Sequence, residues 1–270
     1  MVFFKRLRFK PLALLTALFL TVLGVNTAAQ VGNSDNQPQA EFHMARLIFN
    51  NGYGPMGRNF AISSRGRGWW AIDYPSAEIH FLDGLSRLSR INVAEDSMHL
   101  SIMEDEIFDY PWLFAQQMGQ GGWDPSPEEV ARWREYLYRG GFLVVDDFHG
   151  AAEWQSFQQA MSKVFPRRAI VDLSSEDEVF NVLFVLDQLT QIPGRRHLYQ
   201  ATDGSIQAEM RGPQAWRGVY DDNGRLMVAI NYNMDMGDAW EHADDPVYPE
   251  PMTALAYRFG LNYVIYAMTH

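Results

Sequence analysis

An apolar stretch of this chain runs directly into two carboxylates and an imidazole. In GGFLVVDDFHG, the continuous apolar residues 142–145 predict a strand that is buried on both faces, and Asp146, Asp147 and His149 follow it. Ligands bind beyond the carboxyl ends of strands in an open parallel sheet. A carboxylate at this point can therefore act as a general base or a cation ligand. Alternatively, one aspartate caps the helix that is predicted to begin near Ala151. The sequence leaves both hypotheses open.

A second group of polar residues surrounds His242. Asp238, Glu241, Asp244 and Asp245 are its acidic neighbours in NYNMDMGDAWEHADDP. Carboxylate oxygens are ligands for calcium and other hard cations, so a divalent-cation site is one hypothesis. The spacing follows no regular metal-loop pattern, and a solvated acidic loop is the alternative.

A glycine-rich motif and the absence of cysteine narrow the classes of function. Gly52, Gly54 and Gly57 form a G-x-G-x-x-G motif, and Asp73 follows at the distance typical of a dinucleotide-binding turn. Pro55 interrupts the motif and no helix is predicted after it, so we expect a glycine-rich turn and no nucleotide cofactor. The chain has no cysteine, which excludes disulfides, thiolate metal sites and a cysteine nucleophile.

Alternating strand and helix patterns predict the fold class. The predicted strands are ARLIF, SMHLSIM, FLVV, RRAIVDL and the two halves of QAWRGVYDDNGRLMVAINYN, joined at Asn223-Gly224. The predicted helices are DYPSAEIHFLDGLSRLS, SPEEVARWREYLYRGG, AAEWQSFQQAMSKVF and the apolar EPMTALAYRFGLNYVIYAMTH. We therefore expect an α/β fold whose mainly parallel sheet has helices on both faces and a late antiparallel hairpin at its edge.

Two of these helices carry specific signals. In the first, Ile79, Leu82, Leu85 and Leu88 recur at three-residue steps and predict an apolar stripe. In the second, residues 126–129 read Ser-Pro-Glu-Glu, which predicts a capping box with proline in the first turn.

The N-terminus predicts export. Four basic residues in MVFFKRLRFK precede a short apolar run and the small residues NTAAQ, the layout of a signal peptide cleaved after Ala29. We expect a signal peptide (1–29), a flexible leader (30–41) and a single domain (42–270), in the periplasm or secreted. The alternative is that the first segment stays in the inner membrane as an anchor.

The charge of the chain limits its partners. The formal charge is −11, and loss of the four basic residues with the signal peptide would make it −15. Such a surface repels nucleic acid and anionic lipid, so we expect neither as a partner. Contact with a membrane is expected only if the N-terminal segment is retained.

Several blocks of the chain resemble a bacterial family known as domain of unknown function 4159. They are ARLIF, DYPSAE, IFDYPWLF, REYLYRGGFLVVDDFHG, QIPG, GVYDDNGRLMVAINYNMDMGDAWE and GLNYVIYAMTH. The resemblance implies a flavodoxin-like domain of the class I glutamine amidotransferase-like kind, without an assigned activity. It also implies work in the cell envelope, with envelope proteins as partners.

The resemblance extends to single polar positions. The signature residues that it implies are Asp73, Asp146, Asp147, Asn231, Asp235, Asp238, Trp240, Glu241 and His270. The chain departs from the family at His149, where relatives usually have tryptophan. It departs again at Asp177-Glu178, where relatives usually have His-Pro.

Two classes of function follow from these residues. The first hypothesis is a non-catalytic module that binds a ligand or protein through residues at the strand ends: Asp146, Asp147, Asn231, Asp235 and Trp240. The alternative is a carboxylate-dependent hydrolase, assisted by a divalent cation, with Asp147 as base or cation ligand and Asp73, Asp238 and Glu241 on the same rim. The two differ in whether these carboxylates converge on one pocket.

Overall fold

A seven-stranded sheet lies at the centre of the computed structural model, which describes residues 40–49, 68–120 and 122–270. Its strands are β1 (Ala45–Ile48), β2 (Met98–Ser101), β3 (Trp112–Gln116), β4 (Phe142–Phe148), β5 (Val171–Asp172), β8 (Ala215–Tyr220) and β9 (Leu226–Tyr232). A separate antiparallel hairpin consists of β6 (Leu198–Gln200) and β7 (Ile206–Ala208).

The strand order determines which chain segments meet at the carboxyl edge of the sheet. The order is β2-β1-β3-β4-β9-β8-β5. The pairs from β2 to β9 are parallel, whereas β8 is antiparallel to both β9 and β5. Because β3, β4 and β9 are neighbours that point the same way, the segments that follow them emerge side by side.

Helices cover both faces of the sheet. They are α1 (Ser76–Leu88), α2 (Pro127–Tyr138), α3 (Gly150–Val164), α4 (Met236–Glu241) and α5 (Glu250–Thr269). Buried residues of α1, α4 and α5 form one apolar core with the sheet, and those of α2 and α3 form the other. No helix in the described ranges has the length and apolarity that a membrane span requires.

Strand β4 shows why the central strands have continuous apolar sequences. Phe142 and Val144 belong to the core beneath α1 and α5, whereas Leu143 and Val145 belong to the core beneath α2 and α3. All four are fully buried. Burial of each such side chain contributes about 1.5–3 kcal/mol. The strand therefore needs apolar residues on both faces.

The structure confirms the α/β fold class and several local predictions. The Ser126 Oγ accepts a hydrogen bond from the Glu129 N–H at 3.2 Å, and Glu129 Oε2 accepts one from the Ser126 N–H at 2.7 Å, which completes the capping box of α2. Strands β8 and β9 form the predicted hairpin, and Gly224 has the positive φ of 84° that its turn requires. The C-terminal helix α5 buries ten of its 20 residues.

Other predictions need correction. Ile79 and Leu88 are 58% and 57% exposed, whereas Leu82 and Leu85 are buried. A helix has 3.6 residues per turn, so residues at constant three-residue steps move around its surface and do not form one stripe. The hairpin is not the edge of the sheet, because β9 joins the parallel strands and β5 extends the sheet beyond β8. Only two residues of the predicted strand RRAIVDL pair with the sheet.

Some predictions fall outside the described ranges. The signal peptide, the leader up to residue 39 and the glycines of the G-x-G-x-x-G motif lie there. The predictions for these segments stay predictions.

Candidate functional site

The backbone takes an unusual conformation where β3, β4 and β9 end. In the described ranges, four non-glycine residues have positive φ angles: Gln117 (57°), Asp147 (51°), Asn233 (55°) and Asp73 (62°). Gln117 and Asn233 directly follow β3 and β9, Asp147 is the second-last residue of β4, and Asp73 precedes α1. Non-glycine residues pay for this conformation in stability, and such residues concentrate at functional sites. The strain therefore indicates a site at this edge.

A cavity of about 370 Å³ opens at the same edge. Its carboxylates are Asp73, Asp147, Asp235, Asp238 and Glu241, and its basic residues are Arg195, Arg196 and His242. The structure thus brings together the four residues predicted as catalytic candidates, and Asp235 from the ligand-binding set. The acids come from three separate parts of the sequence.

The cavity acids, with His149 and His242, form three compact groups of three residues each. One ligand atom from each of Asp73, Asp235 and Asp238 lies within 4.8 Å of the other two. The same holds for Asp147, His149 and Asp235, and for Asp238, Glu241 and His242. Asp235 and Asp238 each belong to two groups, so the three groups form one continuous set of oxygen and nitrogen ligands.

Asp147 is held as an ionised carboxylate. Its Oδ1 lies 3.0 Å from His149 Nε2 and accepts a hydrogen bond from Arg196 Nη2 at 3.1 Å, while Oδ2 accepts one from the Gln117 amide. Burial alone would raise the pKa of Asp147, but His149, Arg196 and Gln117 together hold it below its usual value. Asp147 is therefore anionic at neutral pH.

Asp73 is positioned by a buried polar chain. Gln116 donates to Asp73 through its amide nitrogen and accepts from Arg46 Nη1 at 2.7 Å through its amide oxygen. Arg46 in turn donates to Glu78 of α1, and both members of this ion pair are almost fully buried. Burial raises the pKa of Asp73 well above its usual value, and the charges of Asp238, Asp147 and Glu241 raise it further.

Asp235 and Asp238 are fixed by the backbone around α4. Asp235 is the N-cap of this helix, and its Oδ1 accepts from the Asp238 N–H at 2.9 Å. Asp238 Oδ2 accepts from the Arg195 N–H at 2.7 Å. Burial raises the pKa of Asp235, as do the charges of Asp147 and Asp238.

Two glycines permit this crowding. A Cβ added to Gly237 would lie 2.5 Å from Asp73 Oδ2, and one added to Gly194 would lie 2.6 Å from Asp235 Oδ2. Side-chain atoms do not approach this closely, so any larger residue displaces a cavity carboxylate. Backbone without a Cβ is what lets the acids converge.

Asp146, Asn231 and Trp240 are not among the residues that line this cavity. Asp146 accepts from the backbone N–H groups of Met236 (2.7 Å) and Gly237 (3.0 Å), and from the Asn231 amide at 3.2 Å. Burial raises the pKa of Asp146 to about 8 against these donors. Trp240 is buried against Phe81. Asp146 and Asn231 thus support the start of α4, and Trp240 belongs to α4 itself. The ligand-binding role of all three stays a prediction.

The sequence left open whether Asp146 and Asp147 form a site or cap the next helix. The structure gives the two residues different roles. Strand β4 extends to Phe148, so Asp146 and Asp147 lie within it and not beyond it. Neither caps α3, whose N-cap is His149 without a side-chain hydrogen bond. Asp146 satisfies the N-terminus of α4 instead, a helix 90 residues later in the chain. Asp147 alone faces the cavity.

The remaining predicted polar residues are dispersed. His270 stacks on Tyr266 and pairs with Glu178 at 3.1 Å, outside the cavity. Asp244 is exposed, and Asp245 pairs with Arg195 at 3.1 Å. The acidic run around His242 is therefore divided between the cavity wall and its rim.

The sequence prediction missed Gln117, Arg195 and Arg196. The side-chain oxygen of Gln117 is buried and has no hydrogen-bond partner in the described part of the chain, although its amide nitrogen donates to Asp147. The doublet Gln116-Gln117 directly after an apolar strand was the available signal. For the two arginines no comparable signal exists, since Arg196 contacts Asp147 across 49 residues of the chain.

Comparison with known proteins gives one match. A family model described as domain of unknown function (DUF4159) matches residues 59–268, most of the chain. No curated protein matches.

Proposed function

Since the chain belongs to the DUF4159 family of domains of unknown function, we propose a function from its geometry: it binds a divalent cation in the strand-end cavity. The cation serves as the anchor for a ligand. In this proposal Asp73, Asp235 and Asp238 supply carboxylate oxygens and Gln117 supplies an amide oxygen.

One observation carries the proposal. Ligand oxygens of Asp73, Asp235 and Asp238 converge within 4.8 Å in a cavity that Gln117 also lines, and the buried amide oxygen of Gln117 has no hydrogen-bond partner among the described residues. Buried polar atoms normally have a partner, and an amide oxygen among carboxylates is typical of sites for Mg²⁺, Ca²⁺ or Mn²⁺.

Electrostatics supports the same conclusion. Burial and mutual repulsion raise the pKa values of Asp73 and Asp235, so ionised acids at these positions oppose each other. A divalent cation converts this repulsion into attraction, and it competes with protons for the same oxygens.

Calorimetric titration of the purified protein with MgCl₂, CaCl₂ and MnCl₂ tests the proposal. We expect saturable binding of at least one cation, with at least tenfold weaker binding in Asp238→Asn and Asp73→Asn. Asparagine preserves shape and tolerates the positive φ of residue 73. Asp244→Asn is the matched control, because this acid is exposed and outside the cavity. Absence of heat with all three cations refutes the proposal.

We favour a non-catalytic binding module, and a carboxylate-dependent hydrolase is the second candidate. One observation favours the hydrolase: the pKa of Asp147 is lowered while that of Asp73 in the same cavity is raised. Opposite shifts in one cavity are how enzymes assign a base and an acid. Release of p-nitrophenol from p-nitrophenyl acetate or phosphate, cation-dependent and lost in Asp147→Asn, would establish the hydrolase. No release above the Asp147→Asn background supports the binding module.

The finer fold assignment is also a proposal. The parallel strands β1, β2, β3, β4 and β9 have the order 2-1-3-4-5 when numbered among themselves, the order of flavodoxin-like domains. In such folds the order reverses between the first and third strands, and ligands bind nearby. The cavity residues Asp73 and Gln117 follow β1 and β3 in the chain. An experimental structure compared with flavodoxin-like and glutamine amidotransferase-like domains tests this assignment.

The cellular setting follows from the N-terminal sequence. We propose that residues 1–29 direct export, and that the domain works in the cell envelope beside other envelope proteins. Retention as an inner-membrane anchor is the alternative. Cell fractionation with N-terminal sequencing separates the two, since cleavage gives a chain that begins at Gln30.

A further inference from the structure

The cavity has two walls of opposite charge. Asp73 precedes α1, Asp147 lies near the end of β4, and Asp235, Asp238 and Glu241 lie at or in α4, whereas Arg195 and Arg196 begin the segment 195–212. This segment contains the hairpin β6–β7, which is separate from the main sheet. We call it the arginine segment.

Arg196 stands at the mouth of the cavity. Its Nη2 donates to Asp147 at 3.1 Å and its Nε donates to His197 Nε2 at 3.2 Å, while 43% of the side chain is exposed. Within the described ranges, Nη1 has no hydrogen-bond partner. Arg196 thus links the acidic wall to solvent and keeps donor capacity on the open side.

The charges of the cavity set the order in which ligands can bind. Five carboxylates and two guanidinium groups give a formal charge of −3 with His242 neutral. An anion alone is repelled by such a cavity. After a divalent cation binds, the formal charge is −1, and an anionic oxygen can contact the cation and a guanidinium at the same time.

We propose that the ligand of this cavity carries an oxyanion group, a phosphate or a carboxylate, that bridges the bound cation and Arg196. The inference rests on the proposed cation binding and assigns a ligand class to it. Arginine suits this role because its planar fork of donors matches the oxygens of phosphate and carboxylate.

Calorimetric titration with inorganic phosphate and, separately, with acetate tests the inference. Each probe is titrated into the protein alone and into the protein saturated with the cation that it binds. We expect heat only with the cation present, and the stronger of the two probes identifies the oxyanion class.

Two variants separate the arginine from the rest of the segment. In Arg196→Gln we expect phosphate or acetate to bind at least about tenfold more weakly, the loss expected for hydrogen bonds between charged groups. Cation binding in this variant is retained or tightened, since a positive charge near the carboxylates is gone. Arg211→Gln, in the same segment but paired with Glu153 and outside the cavity, is the control and binds as the wild type does.

The outcomes distinguish the two proposals. Cation binding without either oxyanion, or equal oxyanion binding by Arg196→Gln and wild type, overturns the ligand class and leaves the cation site intact. Oxyanion binding that needs no cation also overturns it. Absence of cation binding refutes both.

Discussion

Two concave regions of this molecule differ in how their charges are paired. The larger, about 600 Å³, lies where β4 and β9 begin and contains Arg134, Arg167, Arg168 and Asp222. Arg134 donates to the carbonyls at the end of α3, and Arg168 pairs with Asp222 at 2.8 Å. The smaller cavity at the opposite edge gathers five acids around two arginines. The volume of a concave region therefore does not distinguish the candidate site. The concentration of acids with few basic partners does.

The difference has a structural cause. Residues of the larger groove satisfy neighbouring backbone and exposed acids, as surface residues usually do. Four of the five cavity acids are buried, and one of them, Asp73, is held by a chain of polar groups that extends to the Arg46–Glu78 ion pair. Burial of these acids lowers the stability of the fold, whereas the exposed charges of the groove do not.

The largest expected effect is on the free energy of unfolding, and it comes from the Arg46–Glu78 ion pair on the cavity side. Replacement of Arg46 by methionine leaves Glu78 buried without its partner, and we expect a loss of about 3–5 kcal/mol in the free energy of unfolding. Urea denaturation followed by circular dichroism measures it. The double variant Arg46→Met/Glu78→Gln should recover part of the loss. A loss below about 1 kcal/mol in the single variant would show that the pair does not support the cavity.

Cation binding should stabilise the protein through the cavity alone. At a free cation concentration 100 times Kd, the expected gain is about 2.7 kcal/mol, because only the folded state presents the converged ligands. Thermal unfolding with and without the cation measures it. The gain should fall to about 1.4 kcal/mol or less in Asp238→Asn, whose binding is at least tenfold weaker, and persist in Asp222→Asn, whose acid lies in the larger groove. Equal gains in both variants would place the cation elsewhere.

The pH dependence of the cation-free protein should report the crowded acids. Burial raises the pKa values of Asp73 and Asp235, and that of Asp146 to about 8. Between their ordinary values near 4 and these raised values, the folded state binds more protons than the unfolded state. Its stability therefore falls as the pH rises from 5 to 8.

Asp147 acts in a different window. Its pKa is lowered, so its contribution to stability is present above pH 4 and is lost only as the pH falls further.

Urea denaturation at pH 5, 6.5 and 8 tests the predicted fall in stability from the crowded acids. In Asp73→Asn the free energy of unfolding should fall less steeply with pH. At pH 8 this variant should be more stable than the wild type by on the order of 1 kcal/mol. A wild-type stability that rises over this range would contradict it.

The smallest effect belongs to the larger groove. Asp222→Asn removes the partner of Arg168, but Asp222 is 88% exposed. Surface ion pairs of this kind contribute about 0–1 kcal/mol, so we expect a change within 0.5 kcal/mol in urea denaturation. A larger loss would mean that charge pairing in the groove is as important as the buried pair at the cavity.

Local signals in the sequence predicted much of the fold. The capping box at Ser126 and the turn at Asn223-Gly224 depend on residues within four positions of one another, so their pattern is visible in the chain. The apolar continuity of β4 predicted its burial on both faces. The position of β9 between β4 and β8 depends on pairing across the sheet, and no local pattern encodes it.

The candidate site was predictable only in part, for the same reason. Asp147 follows the apolar residues 142–145 near the end of β4, and sites occur at strand ends, so the sequence pointed to it as a candidate. Its neighbour Asp146 has the same sequence context but points to α4, because side chains alternate along a strand. Gln117 and Arg196 were missed because their roles exist only through contacts with Asp147, 30 and 49 residues away along the chain.

The four non-glycine residues with positive φ have a consequence for attempts to make this protein more heat-resistant. Glycine adopts positive φ without steric cost, so a search for stabilising substitutions is expected to select glycine at residues 73, 117, 147 and 233. Three of those replacements would delete a side chain that lines the cavity. Only Asn233→Gly leaves the cavity lining intact, so at the other three positions a gain in heat resistance would cost the protein a side chain of the cavity.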